Sequence, residues 1–301
     1  MATTTQFRFN FQLDNDAETA RDIEPEQQHT NNAAALPARE IFIEPFHHQL
    51  AERHKYTTTN CASVQLQCAL LDNIGQQVKE LRTLTQQRDT LESCSTLLEA
   101  ASKNCDLVPG VYEGGLKIWE GSCDLVEYLS TGVIDLHGVR VLELGCGAGL
   151  PGIFAALHGA EHATFQDYNP GVIHLITIPN ILSNIPATQS PVTTFFAGDW
   201  SELVGVMNPS DDISLKYDLI VTSETIYCVE SQPKLLEMMK KHVKPVTGRV
   251  LVAGKCHYFG VGGSMDMFKK LIKDDGYFKC SSCKLVTDCS VPREVIMLEQ
   301  C

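Results

Sequence analysis

The chain is short of basic charge: 24 Lys and Arg stand against 37 Asp and Glu, a formal net charge of −13. It therefore lacks the basic face that grips a nucleic-acid backbone. Its natural partner is a basic protein or a cationic small molecule. Long apolar runs are also missing. None approaches the roughly 18 residues of a membrane-spanning helix, so no membrane partner is expected. The opening residues, Met-Ala-Thr-Thr-Thr-Gln-Phe-Arg-Phe, lack the apolar stretch of a secretory signal. Twelve cysteines are present, but only Cys280 and Cys283 form a C-x-x-C, with Cys289 following. A structural zinc usually takes two such pairs. No metal is expected, and the thiols read as free in a reducing compartment.

What is present is an ordinary globular composition over 301 residues, 44% hydrophobic and 20% charged. That leaves room for one large domain and an appendage. Residues 1–60 are polar with little periodicity and read as a mostly disordered tail. Within it, Phe7, Phe9, Phe11 and Leu13 alternate with polar residues, which fits a short strand over 7–13. The stretch 31–37, Asn-Asn-Ala-Ala-Ala-Leu-Pro, fits a linker. Residues 61–105 read as a helical extension, one long amphipathic helix over 62–101, either continuous or broken near Gly75. Leu70, Leu84, Leu91 and Leu98 share a heptad position, and Ile74 and Leu81 share another. Gln77, Arg88 and Ser95 spoil the seam, so the helix is expected to lie on the following domain rather than form a coiled coil.

Over 106–301 apolar strand-like runs alternate with helical patterns. Strands are expected near 139–144, 162–167, 192–197, 217–223, 248–254, 277–287 and 293–300. Helices are expected near 121–131, 150–158, 170–183, 231–243 and 264–274. Such alternation predicts an α/β, Rossmann-like sheet, mostly parallel and covered on both faces. The last two strands lack an intervening helix and should form an antiparallel pair, completing seven strands.

The strongest signal is Val139-Arg-Val-Leu-Glu143-Leu-Gly145-Cys-Gly147-Ala-Gly149-Leu-Pro-Gly152. A buried strand runs into alternating glycines and then a helix with proline in its first turn. Glycines let the backbone bend sharply and approach a ligand. Gly147, Gly149 and Gly152 fit the dinucleotide spacing G-x-G-x-x-G. Glu143, Gly145, Gly147 and Gly149 fit the E-x-G-x-G-x-G of S-adenosylmethionine enzymes. There Glu143 would attract the cofactor's ammonium, and Asp167, at the end of the second strand, would accept from ribose hydroxyls. A single sheet using all the following residues leaves no second substrate domain, which favours the methyl donor over a nicotinamide.

Gly110-Val-Tyr-Glu-Gly-Gly-Leu-Lys-Ile-Trp119-Glu120, Phe165-Gln-Asp-Tyr-Asn169 and Phe196-Ala-Gly-Asp-Trp200 resemble the protein-histidine methyltransferases. So do Tyr217-Asp-Leu-Ile-Val-Thr-Ser-Glu-Thr-Ile-Tyr227 and His257-Tyr-Phe-Gly-Val-Gly-Gly263. The likeness runs from about 108 to 301, and Phe-x-Phe-Asn-Phe at 7–11 is similar too. The resemblance implies a methyltransferase domain over 106–301. It implies a cytoplasmic and nuclear enzyme that methylates the tele nitrogen of a histidine in a large-subunit ribosomal protein; a monomer is expected, though no residue pattern fixes the oligomeric state. It places Lys117, Ile118, Trp119, Glu120, Gly121, Gly145, Gln166, Asp167, Tyr168, Gly198, Asp199, Trp200 and Ser223 around S-adenosyl-L-methionine. A protein-lysine methyltransferase of the same superfamily, and a cofactor-sensing ribosomal-protein assembly or chaperone factor, are the alternative readings.

A neutral imidazole needs no strong base; it needs a chosen tautomer and support for the charge appearing on the ring. Glu224, just past a strand's carboxyl end, is the candidate carboxylate, with Tyr227 beside it if the segment turns helically. His257 is expected to border the acceptor. The faces of Trp119 and Trp200 suit an adenine ring or a sulfonium, and Asp199 suits the adenine amino group.

Overall fold

The computed structural model describes residues 35–53, 56–61, 64–69, 74–102, 107, 108, 110–186, 188 and 191–301. The strand expected over 7–13 and the first part of the linker lie outside the described residues.

The central sheet follows from the apolar runs. Strands β4 (Arg140–Leu144), β5 (His162–Asp167), β6 (Val192–Ala197), β7 (Leu219–Ser223) and β8 (Arg249–Lys255) are parallel. Strand β10 (Arg293–Gln300) runs antiparallel to β8 and to β9 (Phe278–Val286). These are the seven expected strands, each within two residues of its expected limits. An eighth, β1 (Arg39–Ile41), pairs antiparallel with the β6 edge, giving the order β1-β6-β5-β4-β7-β8-β10-β9. Three residues carry too little alternation to announce a strand.

Both faces are covered because the strands bury alternate residues on opposite sides. In β4, Val141 joins the core under α5 (Leu150–Leu157), beside Ile153 and Phe154. Leu142 and Leu144 join the other core, with Leu235 and Met239 of α9 (Gln232–His242) and Phe268 of α10 (Met265–Asp275). On the α5 side, α4 (Glu120–Ser130) packs through Leu125, Val126 and Leu129. A continuous helical stretch follows β5: α6 (Pro170–Val172), a π-turn over Ile173–Thr177, and α7 (Ile178–Asn184). The short α8 (Trp200–Leu203) follows β6. Among the described residues no helix is long and apolar enough to cross a membrane.

The amino-terminal third departs from expectation. Residues 35–60 are not a tail: they hold β1, α1 (Pro45–Arg53) and β2 (Tyr56–Cys61). The single helix expected over 62–101 is instead the end of a hairpin, β2 with β3 (Val64–Ala69), then α2 (Ile74–Leu84) and α3 (Arg88–Ser102). Buried Leu66 and Cys68, set between more exposed glutamines, are a period-two signal that the leucine spacing masked. Thr85 then breaks the helix, its hydroxyl accepting from the Gln87 N–H at 3.1 Å. The two helices run antiparallel, Gly75 against Leu98 and Arg82 against Ser95. Fully buried Leu81 and Leu97 tie the pair to the α5-side core, each stabilising by roughly 1.5–3 kcal/mol. Leu97 also meets Gly171 of α6 so closely that a Cβ there would lie 2.6 Å away.

A buried histidine pair joins α1 to the π-turn. Glu44 N–H donates to His47 Nδ1 at 2.8 Å, so the His47 proton sits on Nε2 and points at His174 Nδ1, 3.0 Å away. Burial pulls His47 down to about 4 and His174 down to about 3. The unfolded rings protonate first, so the stability this pair confers is lost as pH falls from 6.5 toward 4. In nitrogen-15 imidazole spectra both rings should remain neutral from pH 8 to about 5, with the proton of His47 on Nε2. Protonation of either ring near pH 6.5 would contradict this packing.

Candidate active site

The motif residues converge at the carboxyl ends of β4 to β7, beside the point where the strand order reverses about β4, where open α/β sheets bind ligands. Gly145, Gly147 and Gly149 have φ of 62°, 49° and 75°, a region closed to most side chains. A Cβ on Gly145 would stand 2.4 Å from Thr225 Cγ2, and one on Gly152 2.5 Å from Phe165 Cε1. Gly145 is the accessible part of the turn; Gly147 and Gly149 are buried and shape it.

The amides of this turn are satisfied by side chains. Gly145 N–H donates to Gln166 Oε1 at 3.2 Å, Gly147 N–H to Asp167 Oδ2 at 2.9 Å, and Gly152 N–H to Glu143 Oε2 at 2.8 Å. Thr177 and Asn180 donate back to the carbonyls of Gly147 and Ala148. Glu143 Oε2 is therefore engaged within the fold. It lies on the Val141 face of β4, is 2% exposed, and caps the third residue of α5. Burial pushes its carboxyl up to about 8, and the like charge of Asp167 adds to that. Asp167 is also buried and already accepts from Gly147 and Asn169; burial raises it to about 6. A pyrophosphate would need these amides and would meet Asp167 instead. The dinucleotide spacing is satisfied, but the donors are not free.

Gln166 joins three segments. Its oxygen also accepts from Trp200 Nε1 at 2.8 Å, and its amide donates to the Gly198 carbonyl at 3.1 Å. Gly198 packs so tightly on Pro37 that a Cβ would lie 2.8 Å from the Pro37 oxygen, and Asp199 N–H donates to Leu36 O. The end of the expected linker is thus part of the site wall. Asp199 caps α8 through the Ser201 N–H and pairs with Lys234 at 2.9 Å. Burial opposes the ionised form, but the Ser201 and Lys234 donors outweigh it and hold the carboxyl below the usual range. Asp199 is half-buried and already engaged.

Residues 110–119 cross the glycine turn as a strap. The Gly115 oxygen lies 3.2 Å from where a Gly147 Cβ would stand. Tyr168 donates to Gly110 O at 3.1 Å, and Asn169 clasps the strap twice, donating to Val111 O and accepting from Glu113 N–H. Trp119 Nε1 donates to Gly114 O at 3.0 Å, and the ammonium groups of Lys117 and Lys255 lie 4.7 and 5.2 Å from its ring centre. Lys117, Ile118, Trp119 and Glu120 are half-buried, and Gly121 is buried against Glu224.

The end of β7 holds the most unusual residue. Ser223 ends the strand, and Glu224 follows at φ 56°, a left-handed conformation on a residue with a full side chain. Its N–H donates to Ala253 O at 2.9 Å. The carboxylate is 7% exposed, and Oε2 accepts from the Tyr258 hydroxyl at 2.6 Å. Oε1 has no hydrogen-bond partner among the described residues. A Cβ on Gly121 would lie 2.7 Å from it, so only glycine fits against this oxygen. Burial pushes Glu224 up to about 7, with Tyr258 and Lys255 pulling it back and Glu120 adding to the rise. The segment after Glu224 does not turn helically. Tyr227 instead reaches the strap, donating to Glu113 Oε2.

His257 is exposed, and its neighbour Tyr258 turns inward to the acid. Glu113 and Asn169 also belong to the site, and only their place within the quoted motifs pointed to them. Among the described residues no group of three His, Cys, Asp or Glu side chains is placed to hold a metal.

The cap that Glu143 provides and the ammonium role make different predictions. Glu143→Gln keeps an acceptor for Gly152 and should leave S-adenosylhomocysteine affinity within about twofold and the melting temperature near wild type. Glu143→Ala should lower the melting temperature, because an orphaned buried N–H costs about 1–3 kcal/mol. A tenfold loss of affinity in the glutamine variant at unchanged melting temperature would restore the ammonium role.

A family model described as lysine methyltransferase matches residues 110–271. The chain is 38% identical over 211 residues to the histidine protein methyltransferase 1 homolog of Rattus norvegicus, covering 63% of this chain and 58% of that one. It is 44% identical over 168 residues to the Dictyostelium discoideum homolog, covering 56% and 52%. Against histidine protein methyltransferase 1 of Schizosaccharomyces pombe it is 33% identical over 235 residues, covering 65% and 68%. The chain spans somewhat over half the length of the mammalian relative and two thirds of the yeast one. Strap, glycine turn and acidic strand ends all lie within the matched region, and the chain belongs to the histidine protein methyltransferase family.

Proposed function

We propose that this protein transfers a methyl group from S-adenosyl-L-methionine to the tele nitrogen of a histidine in a basic protein, a large-subunit ribosomal protein, in the cytoplasm and nucleus. The observation that carries the reading is Glu224: a buried carboxylate in strained backbone, with one oxygen held by Tyr258 and the other unpartnered beside Gly121.

The residues fit a cationic methyl donor. The N–H groups of Gly145, Gly147 and Gly152 are taken by Gln166, Asp167 and Glu143. Accessible Gly145 offers a Cβ-free approach, and half-buried Trp200 adds an aromatic ring beside it. When bound, S-adenosylmethionine supplies the methyl group from a positively charged sulfur. Gly145, the strap residues Lys117 to Gly121, Tyr168, Asp199, Trp200 and Ser223 would hold it.

The acceptor ring, with a pKa near 6.5, is mostly neutral at pH 7. Its pros N–H can donate to Glu224 Oε1, which leaves the lone pair on the tele nitrogen. As the new carbon–nitrogen bond forms, the ring gains positive charge, and its pros proton can pass to Oε1. At about 4 Å and an effective dielectric near 20, a full charge pair is worth about 4 kcal/mol, of which the transition state realises part. The net charge of −13 favours encounter with a basic substrate.

The lysine description of the family model supports a second reading, lysine as acceptor. A lysine accepts up to three methyl groups, whereas this chemistry adds one to histidine.

Tritiated-methyl labelling of a lysate, followed by amino-acid analysis of the labelled band, should yield tele-methylhistidine; methyl-lysine would favour the second reading. Glu224→Gln should keep S-adenosylhomocysteine affinity and cut turnover by about tenfold to a hundredfold. Because Glu224 accepts the proton only when ionised, wild-type turnover should rise with pH through about 7. A glutamine variant with full turnover would remove Glu224 from the mechanism.

A further inference from the structure

The two oxygens of Glu224 have unequal surroundings, and Tyr258 creates the inequality. The Tyr258 hydroxyl accepts from Lys255 N–H at 3.1 Å and lies 2.6 Å from Oε2. With its lone pair used by that amide, the hydroxyl proton is directed to Glu224. The phenol is held at the glycine loop that follows β8. Tyr258 N–H donates to Gly263 O at 3.0 Å, and Gly263 N–H to Tyr227 O at 2.8 Å. A Cβ on Gly263 would stand 2.3 Å from the carbonyl oxygens of Ile226 and Tyr227. The glycines thus dock the loop onto the segment after β7. Gly254 makes room as well, since a Cβ there would lie 2.8 Å from the Tyr258 oxygen. The ring stands edge-on to Tyr227 with centroids 6.3 Å apart. The charged groups facing Glu224 are Lys255 on β8, Glu120 at the start of α4 and Arg293 on β10; none takes Oε1.

We propose that Tyr258 is the positioning residue that selects which ring nitrogen is methylated: by filling Oε2 it leaves Oε1 alone to receive the acceptor's pros N–H. This rests on the reading that Glu224 meets an acceptor histidine. Without the phenol oxygen both carboxylate oxygens are available, the ring can seat in two ways, and the carboxylate loses a donor that favours its ionised form. The chemistry is unchanged: a sulfur–carbon bond breaks, a nitrogen–carbon bond forms, and one ring proton leaves.

The test compares wild type, Tyr258→Phe and Gly254→Ala, which keeps the phenol but crowds its oxygen. The probe is salt-stripped large-subunit ribosomal protein with tritiated S-adenosylmethionine. Hydrolysates are resolved into tele- and pros-methylhistidine, kcat is followed against pH, and S-adenosylhomocysteine affinity is measured alongside. Both variants should bind S-adenosylhomocysteine within about twofold of wild type and turn over about tenfold slower, as expected for losing one charge-assisted hydrogen bond. They should release pros-methylhistidine that wild type does not, and the acid limb of kcat should move to higher pH. A slower variant with the wild-type isomer ratio and pH limb would reduce Tyr258 to packing and overturn the role alone. Methyl-lysine as the wild-type product would overturn the histidine reading and the nitrogen choice together.

Discussion

A glycine turn that bends out of a strand has amide groups with no sheet partner, and here side chains supply the acceptors. Gln166 and Asp167 at the end of β5 and Glu143 within β4 take the N–H groups of Gly145, Gly147 and Gly152. Much else depends on that arrangement. It ties down a left-handed backbone that glycine adopts freely. It joins Trp200 and Gly198 to the turn through one buried amide, and it gives Asn169 and Asp167 a fixed frame from which the strap is hung. It also leaves the N–H groups of Gly145, Gly147 and Gly152 engaged within the fold.

The second centre, at the end of β7, stores cost in another form. A glutamate in left-handed backbone, almost wholly buried and with one oxygen unpartnered, is unfavourable on each count. The surroundings hold it there: Ala253 takes its N–H, Tyr258 one oxygen, and Lys255 and Arg293 soften the charge. In the proposed reaction that oxygen would accept the imidazole N–H of the acceptor, which needs no prior deprotonation.

How much of this was legible follows from which signals are local. The seven strands read clearly because buried parallel strands are continuous apolar runs bounded by turns. The hairpin over β2 and β3 did not, because the leucine spacing after it overrode a polar period-two pattern. Strand β1 was too short to read, and its residues hold to the sheet by edge pairing and by contact with Gly198, which are tertiary facts. Glu143 was read as a site residue, and its bond to the Gly152 N–H was not foreseen. The alternation of β4 puts it with Val141 toward α5, so a helix cap was the reading that the period already allowed. His257 and Tyr258 are adjacent, and only the docking of Gly263 onto Tyr227 decides which one faces Glu224. Glu224 itself was legible from its place after a strand's carboxyl end; its strain and its free oxygen were not.

The central claim is that the bend after β4 holds a cationic methyl carrier. Isothermal titration of the purified chain with S-adenosylhomocysteine, the product form of that carrier, tests it most directly. The expected result is saturable heat with one ligand per chain and no competition from NAD. No heat with S-adenosylhomocysteine, or saturable heat with the dinucleotide in its place, would contradict it.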